Sequence, residues 1–131
     1  MAYPQNDGYD YEALYERARS FCIGIARRGA RAGAVPYAEL MRHLGLDREN
    51  AYERQTVMPW TLRLVSEREH AAGRPFLSSV VYGETANEPG PGFDTLRREL
   101  GLRPGQGPLE FWIAALRETQ DYWVQQPGTA S

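Results

Sequence analysis

The side chains with the widest chemical repertoire in this chain fall between positions 69 and 93, in the stretch EHAAGRPFLSSVVYGETANEPGPGF. Glu69, His70, Ser78, Ser79 and Glu84 could line a polar pocket in which His70 acts as general base and Ser78 as the nucleophile of a small hydrolase. No third group is evident to orient the histidine, and the serines lack the strand–turn–helix setting of a nucleophile elbow. A histidine at a helix C-terminus also gains simply by complementing the helix dipole. Serines beside a strand commonly satisfy backbone groups. No catalytic residue is therefore assigned.

Metal chemistry is poorly supplied. His43 and His70 are the two histidines and Cys22 the single cysteine, too few for a zinc set. Glu67, Glu69, Glu84 and Glu88 could offer oxygens to a hard cation, but such carboxylates are ordinarily solvated. Neither metal nor cofactor is expected. Cys22, on the apolar side of a helix, reads as a small buried hydrophobe.

All 15 basic residues are arginine, and the net charge is −2. The codon usage of a GC-rich genome accounts for the absence of lysine. That absence removes the P-loop, Schiff-base enzymes and lysine-containing nuclease cores. A weakly acidic chain is not a broadly basic nucleic-acid binder, but a local arginine face remains open to it. Such a face is expected around Arg48, Arg54, Gln55, Thr56 and Arg63, near the start of a helix that could enter a DNA groove. Arginine grips phosphate or reads guanine, and glutamine reads adenine. If these arginines are instead salt-bridged to Glu49, Glu53 and Glu67, that reading fails. A second candidate surface, for a ligand or protein partner, comprises Ser78, Ser79, Glu84, Pro89, Gly90, Pro91 and Gly92. Its Gly-Pro run fixes a tight turn.

The elements that must position these residues follow from periodicity and breakers. Tyr11, Leu14, Tyr15, Ala18, Cys22 and Ile25 share one face of a helix expected over 9–28. Gly29 and Gly33 break it. Pro36 opens a short helix to Leu44, stopped by Gly45. A longer helix starts near Thr56 or Met58 and ends at Gly73. Phe76–Tyr82 reads as a strand, which must pair with Ala34–Val35 or with the chain after Gly83. A short helix over 94–100 and a final helix over 108–123 follow. The last carries Phe111, Trp112, Tyr122 and Trp123, expected to close against the first helix. We read a flexible lead-in over 1–8, one globular domain over 9–123 and a flexible tail over 124–131. The fold class expected is α+β, mostly helical, with a winged-helix-like layout and a sheet of two or three short strands. No apolar run reaches a membrane span, so no membrane partner and a cytoplasmic location are expected.

GAVPYAELMRHLGL resembles the Gly-x-Val-x-Tyr-Gly-Glu-Leu-Ala segment of alkylguanine-DNA alkyltransferases and alkyltransferase-like proteins. The likeness covers about 33–93 and implies a winged helix. Leu77 stands where that family carries its alkyl-accepting cysteine, and Ser78 and Ser79 replace its His and Arg. Alkyl transfer is thus not implied. GRPFLSSVV, PGPGF and EFW also resemble a group of small bacterial proteins sharing Glu-His-x-x-Gly-Arg-Pro-Leu-Leu-Ser-Ala, Pro-Gly-x-Gly-Phe and Glu-Phe-Trp patterns. That resemblance spans about 35–123 and implies a shared fold and pocket, without an activity.

The leading expectation is a small non-enzymatic nucleic-acid-binding accessory or regulatory protein, with DNA favoured. The alternative is a protein-interaction module, such as an inhibitor, immunity or regulatory factor, acting through the Gly-Pro loop. The third is the hydrolase built on His70 and Ser78.

Overall fold

A computed structural model describes residues 6–85, 88–90 and 92–127. Helix α1 (Tyr11–Ala26) starts where Asp10 accepts a hydrogen bond from the Ala13 N–H at 3.1 Å, satisfying one of the free first-turn donors. Strand β1 (Val35–Pro36) leads directly into helix α2 (Tyr37–His43). A helical stretch opens at 51, passes through a π turn at Glu53–Val57 and continues as α3 (Met58–Ala71). A 3-10 turn (Leu77–Val80), strand β2 (Val81–Tyr82), α4 (Phe93–Glu99) and α5 (Pro108–Gln125) complete the chain.

The result is a mostly helical α+β fold with a small two-stranded sheet. β1 and β2 run parallel, with Val35 opposite Val81 and Pro36 opposite Tyr82. The expected partner of the second strand, Ala34–Val35, is thus the one found. The strand itself is much shorter than Phe76–Tyr82. Ser78 and Ser79 are both buried, a pattern that alternation cannot produce but a tight turn can. The segment runs among α1, α3 and α5. There Trp112 Nε1 donates to Ser79 O at 2.9 Å, and Thr119 Oγ1 donates to Phe76 O at 3.0 Å. These tertiary bonds hold the backbone in a form that local propensity does not reveal.

The π turn has a chemical cause. Pro59 sits within a helical stretch and has no N–H to give. Met58 N–H bonds back five residues to Glu53 O. The next bond in that pattern would run from residue 59 to Arg54 O, and proline cannot make it. The Tyr37 hydroxyl fills the gap by donating to Arg54 O. Proline-induced distortion is thus absorbed at Glu53–Val57 and tied to α2.

Gly73 closes α3 with the expected geometry. At φ +77° it lets the Arg74 N–H reach Glu69 O at 2.9 Å while its own N–H reaches His70 O at 3.0 Å. The main core joins α1, α2, α3 and the 77–81 segment with Trp123. Phe76, Phe93, Leu96, Phe111, Trp112 and Ala115 form a second cluster. The rings of α5 are therefore divided: Trp123 closes against the α1 side, whereas Phe111 and Trp112 pack on Phe76 and Phe93 rather than on Tyr11, Leu14 and Tyr15. α5 also runs through position 125, beyond the expected boundary at 123. Among the described residues no helix is long and apolar enough to cross a membrane.

Candidate functional site

An open groove of about 1150 Å³ lies between α2, the π turn and the loop after β2. Arg48, Arg54 and Gln55 line it from one side, and Glu84 and Pro89 from the other. Part of each candidate surface therefore meets in one concavity. Pro36, Tyr37, Met41 and Pro59 supply its apolar wall, and Glu49 and Glu88 add two further carboxylates. Sequence reasoning assigned no site role to Pro36, Tyr37, Met41 or Pro59, and weighed Glu88 only as a cation ligand and Glu49 only as an ion-pair partner. The Pro59-driven turn and its Tyr37 bond, which bring them together, have no local sequence signature beyond the proline.

Several contacts fix the groove. Arg54 Nη1 donates to Arg48 O at 2.6 Å, which ties the loop before the π turn to the turn itself. Glu53 accepts from the Asp47 N–H at 2.7 Å and from the Tyr9 hydroxyl at 2.6 Å. The Glu53 carboxylate raises the Tyr9 phenol to about 12, so it stays protonated and donates. Burial pushes the Tyr37 phenol upward as well. Across the groove, Glu88 Oε1 accepts the Glu84 N–H at 2.9 Å, and the Gly83 N–H donates to Glu88 O at 3.0 Å. An antiparallel bridge between Tyr82 and Pro89 closes this loop. The Gly83 backbone is pressed so closely on the Glu88 side chain that an added Cβ would lie 2.7 Å from Oε1.

The remaining candidates are placed elsewhere. Arg63 is neutralised by Glu67 at 3.2 Å and Glu99 at 2.5 Å, with its guanidinium over the Trp60 ring. Thr56 is half-buried in the π turn and does not line the groove. Ser78 and Ser79 are buried and leave the surface set: Ser78 Oγ lies 2.6 Å from Ser66 Oγ, and Ser79 Oγ donates to Thr119 Oγ1 at 3.1 Å. Gly90 is buried, its N–H bonded to Val81 O, and Gly92 caps α4 in a left-handed conformation. Pro91 lies outside the described residues.

The hydrolase arrangement is not assembled. Glu69 is fully buried between two arginines, while His70 is exposed with its ring edge-on to Phe76. Among the described residues no hydrogen bond joins His70 to Ser78, and no group of three His, Cys, Asp or Glu side chains could hold a metal ion. Burial raises the Cys22 thiol to about 12, so it is inert in the folded chain. No protein-family model matches the chain, and neither do the curated proteins or the solved structures.

Proposed function

We propose that this protein is a non-enzymatic interaction module that takes an extended polypeptide segment of a partner protein into the groove between the π turn and the Gly-Pro loop. The observation that carries this reading is the presence of both charges on one concave surface. Arg48 and Arg54 face a groove shared with Glu49, Glu84 and Glu88. Phosphate backbones require a cationic track, and three carboxylates beside two guanidiniums work against one. A polypeptide can present a carboxylate to the arginines, a cation to the glutamates and apolar side chains to Tyr37, Met41 and the prolines.

The winged-helix DNA reading draws support from the Tyr82–Pro89 bridge, which closes a small wing-like loop. It is weakened at the arginines: Arg63 is neutralised by two carboxylates, and Arg48 lies 3.9 Å from Glu49.

A random-peptide display against the full chain, counter-selected on Arg54→Glu, tests the proposal. The expected result is a family of peptides of mixed charge that the variant no longer retains. In parallel, anisotropy titrations against duplex and single-stranded DNA at two salt concentrations should show no saturable binding. Salt-sensitive DNA binding that is lost in Arg54→Ala would overturn the polypeptide reading in favour of nucleic acid.

A further inference from the structure

A second cavity, of about 380 Å³, opens away from the groove where the end of α3 meets α5. Its apolar surface includes the small exposed part of the otherwise buried Phe76 and Phe111, whose rings meet edge-on at a centroid distance of 5.9 Å. His70, Arg74, Arg103 and Glu118 also line it. The volume lies at the lower end of the range for small-molecule sites, and a mostly apolar lining with a few polar groups is their usual composition.

Two features give the rim a preferred charge. First, Arg19 and Arg74 share the single carboxylate of Glu69, so this trio keeps a net positive charge. The Arg19 and Arg74 side chains are 30% and 29% exposed while Glu69 is fully buried, and Arg74 is the one of the two that lines the cavity. Second, Arg103 sits at φ +45°, a left-handed conformation that side-chain-bearing residues seldom occupy. Buried Arg97 helps hold it there, its Nη1 donating at 3.1 Å to Arg103 O and to Gln106 O. The backbone is thus locked in an unfavourable form that carries the Arg103 guanidinium to 5.7 Å from the Phe111 ring centroid, at the cavity edge. Held strain of this kind is commonly found where a side chain must be aimed at a ligand.

We propose that this cavity binds a small monocarboxylate with an aromatic body. The ring lies against Phe76 and Phe111, and the carboxylate meets Arg74 and Arg103, with Arg103 exchanging its present partner Glu118 for the ligand. Charge complementarity selects the acid, and the volume limits the body to one or two rings.

The test uses 2-naphthoate and its uncharged isostere 2-naphthamide with the full chain, followed by amide and arginine side-chain NMR. Naphthoate should give saturable shifts at His70, Arg74, Arg103 and Phe111, and should bind about tenfold more tightly than the amide, the value of one charge-assisted contact. Arg103→Asn, which tolerates the left-handed backbone, should remove that preference while its remaining spectrum stays native. Equal binding of acid and amide, shifts centred on Arg48 and Arg54 instead, or no saturable shift would each overturn the proposal. Equal binding of acid and amide, or no saturable shift, leaves the groove reading untouched, because the groove is probed by a separate ligand.

Discussion

The Arg19 guanidinium reaches across fifty positions of chain to Glu69, its Nε lying 2.6 Å from Oε1. Arg74 takes the other oxygen through Nε and shares the first through Nη2 at 3.2 Å, and its backbone N–H closes α3 on Glu69 O. One buried residue thus fastens α1, the end of α3 and the turn into the 3-10 segment. Removing the carboxylate leaves two guanidiniums facing each other without a counter-charge. Glu69→Ala should cost about 2 kcal/mol in denaturant unfolding, less than for a fully buried pair because both arginines keep partial access to water. Combined with Arg19→Ala the cost should fall short of the sum of the single changes, which a double-mutant cycle measures.

Gly33 marks a close backbone approach. Its carbonyl accepts from Gln120 Nε2 at 3.1 Å, and an added Cβ would lie 2.4 Å from Gly29 O and 2.8 Å from Gln120 Nε2. A backbone oxygen cannot swing aside as a side chain can. Gly33→Ala should destabilise by about 2 kcal/mol, the scale of overpacking, and should shift the Gln120 side-chain amide resonances.

The paired hydroxyls of Ser66 and Ser78 are not equivalent. Ser66 Oγ also accepts the Ser78 N–H at 3.0 Å, so Ser66→Ala strands a buried backbone donor and a buried hydroxyl together. Ser78→Ala keeps the Ser66–backbone bond. Thermal or denaturant unfolding should show Ser66→Ala costing about 2 kcal/mol and Ser78→Ala about 1 kcal/mol. If Ser78 were a nucleophile, as one sequence reading allowed, the functional loss would run in the opposite order.

The lead-in is fastened by an acid-sensitive contact. Asp7 Oδ2 accepts from the Tyr52 hydroxyl at 2.6 Å and the Tyr11 hydroxyl at 2.7 Å. These bonds hold its carboxyl below the ordinary range, that of Tyr52 contributing most. Because the folded value is the lower one, the stabilisation is fully present above the unfolded value of about 3.9 and is lost as pH falls through the folded value. Tyr52 ring resonances should therefore move in an acid titration below about pH 4, and that step should be absent in Asp7→Asn.

The long helices were legible because their apolar positions recur at helical spacing: Tyr11, Leu14, Ala18, Cys22 and Ile25 all reach the core as read. The ends at Gly45 and Gly73 were equally plain, since each takes the left-handed backbone that glycine tolerates best. Phe76–Tyr82 misled because an apolar run is consistent with a strand, whereas its true shape is imposed by Trp112, Thr119 and Ser66 from distant helices. In the groove, Arg48, Arg54, Gln55, Glu84 and Pro89 were identified as two separate surfaces. Their union depends on the π turn, whose one local signal is Pro59, and on the bond from Tyr37, which comes from a distant element. Within the lead-in, Asp7 accepts from the Tyr52 and Tyr11 hydroxyls, long-range and local contacts that the polar run of the terminus does not announce.

On the function proposed above, the groove recognises a polypeptide through paired opposite charges. Calorimetric titration of a display-selected peptide against the native chain and Arg54→Glu, each with the peptide's carboxylate intact or replaced by arginine, tests it most directly. Either reversal alone should weaken binding at least tenfold, and the two together should restore most of it, a coupling of more than about 2 kcal/mol. Additive losses, with no rescue in the doubly reversed pair, would contradict it.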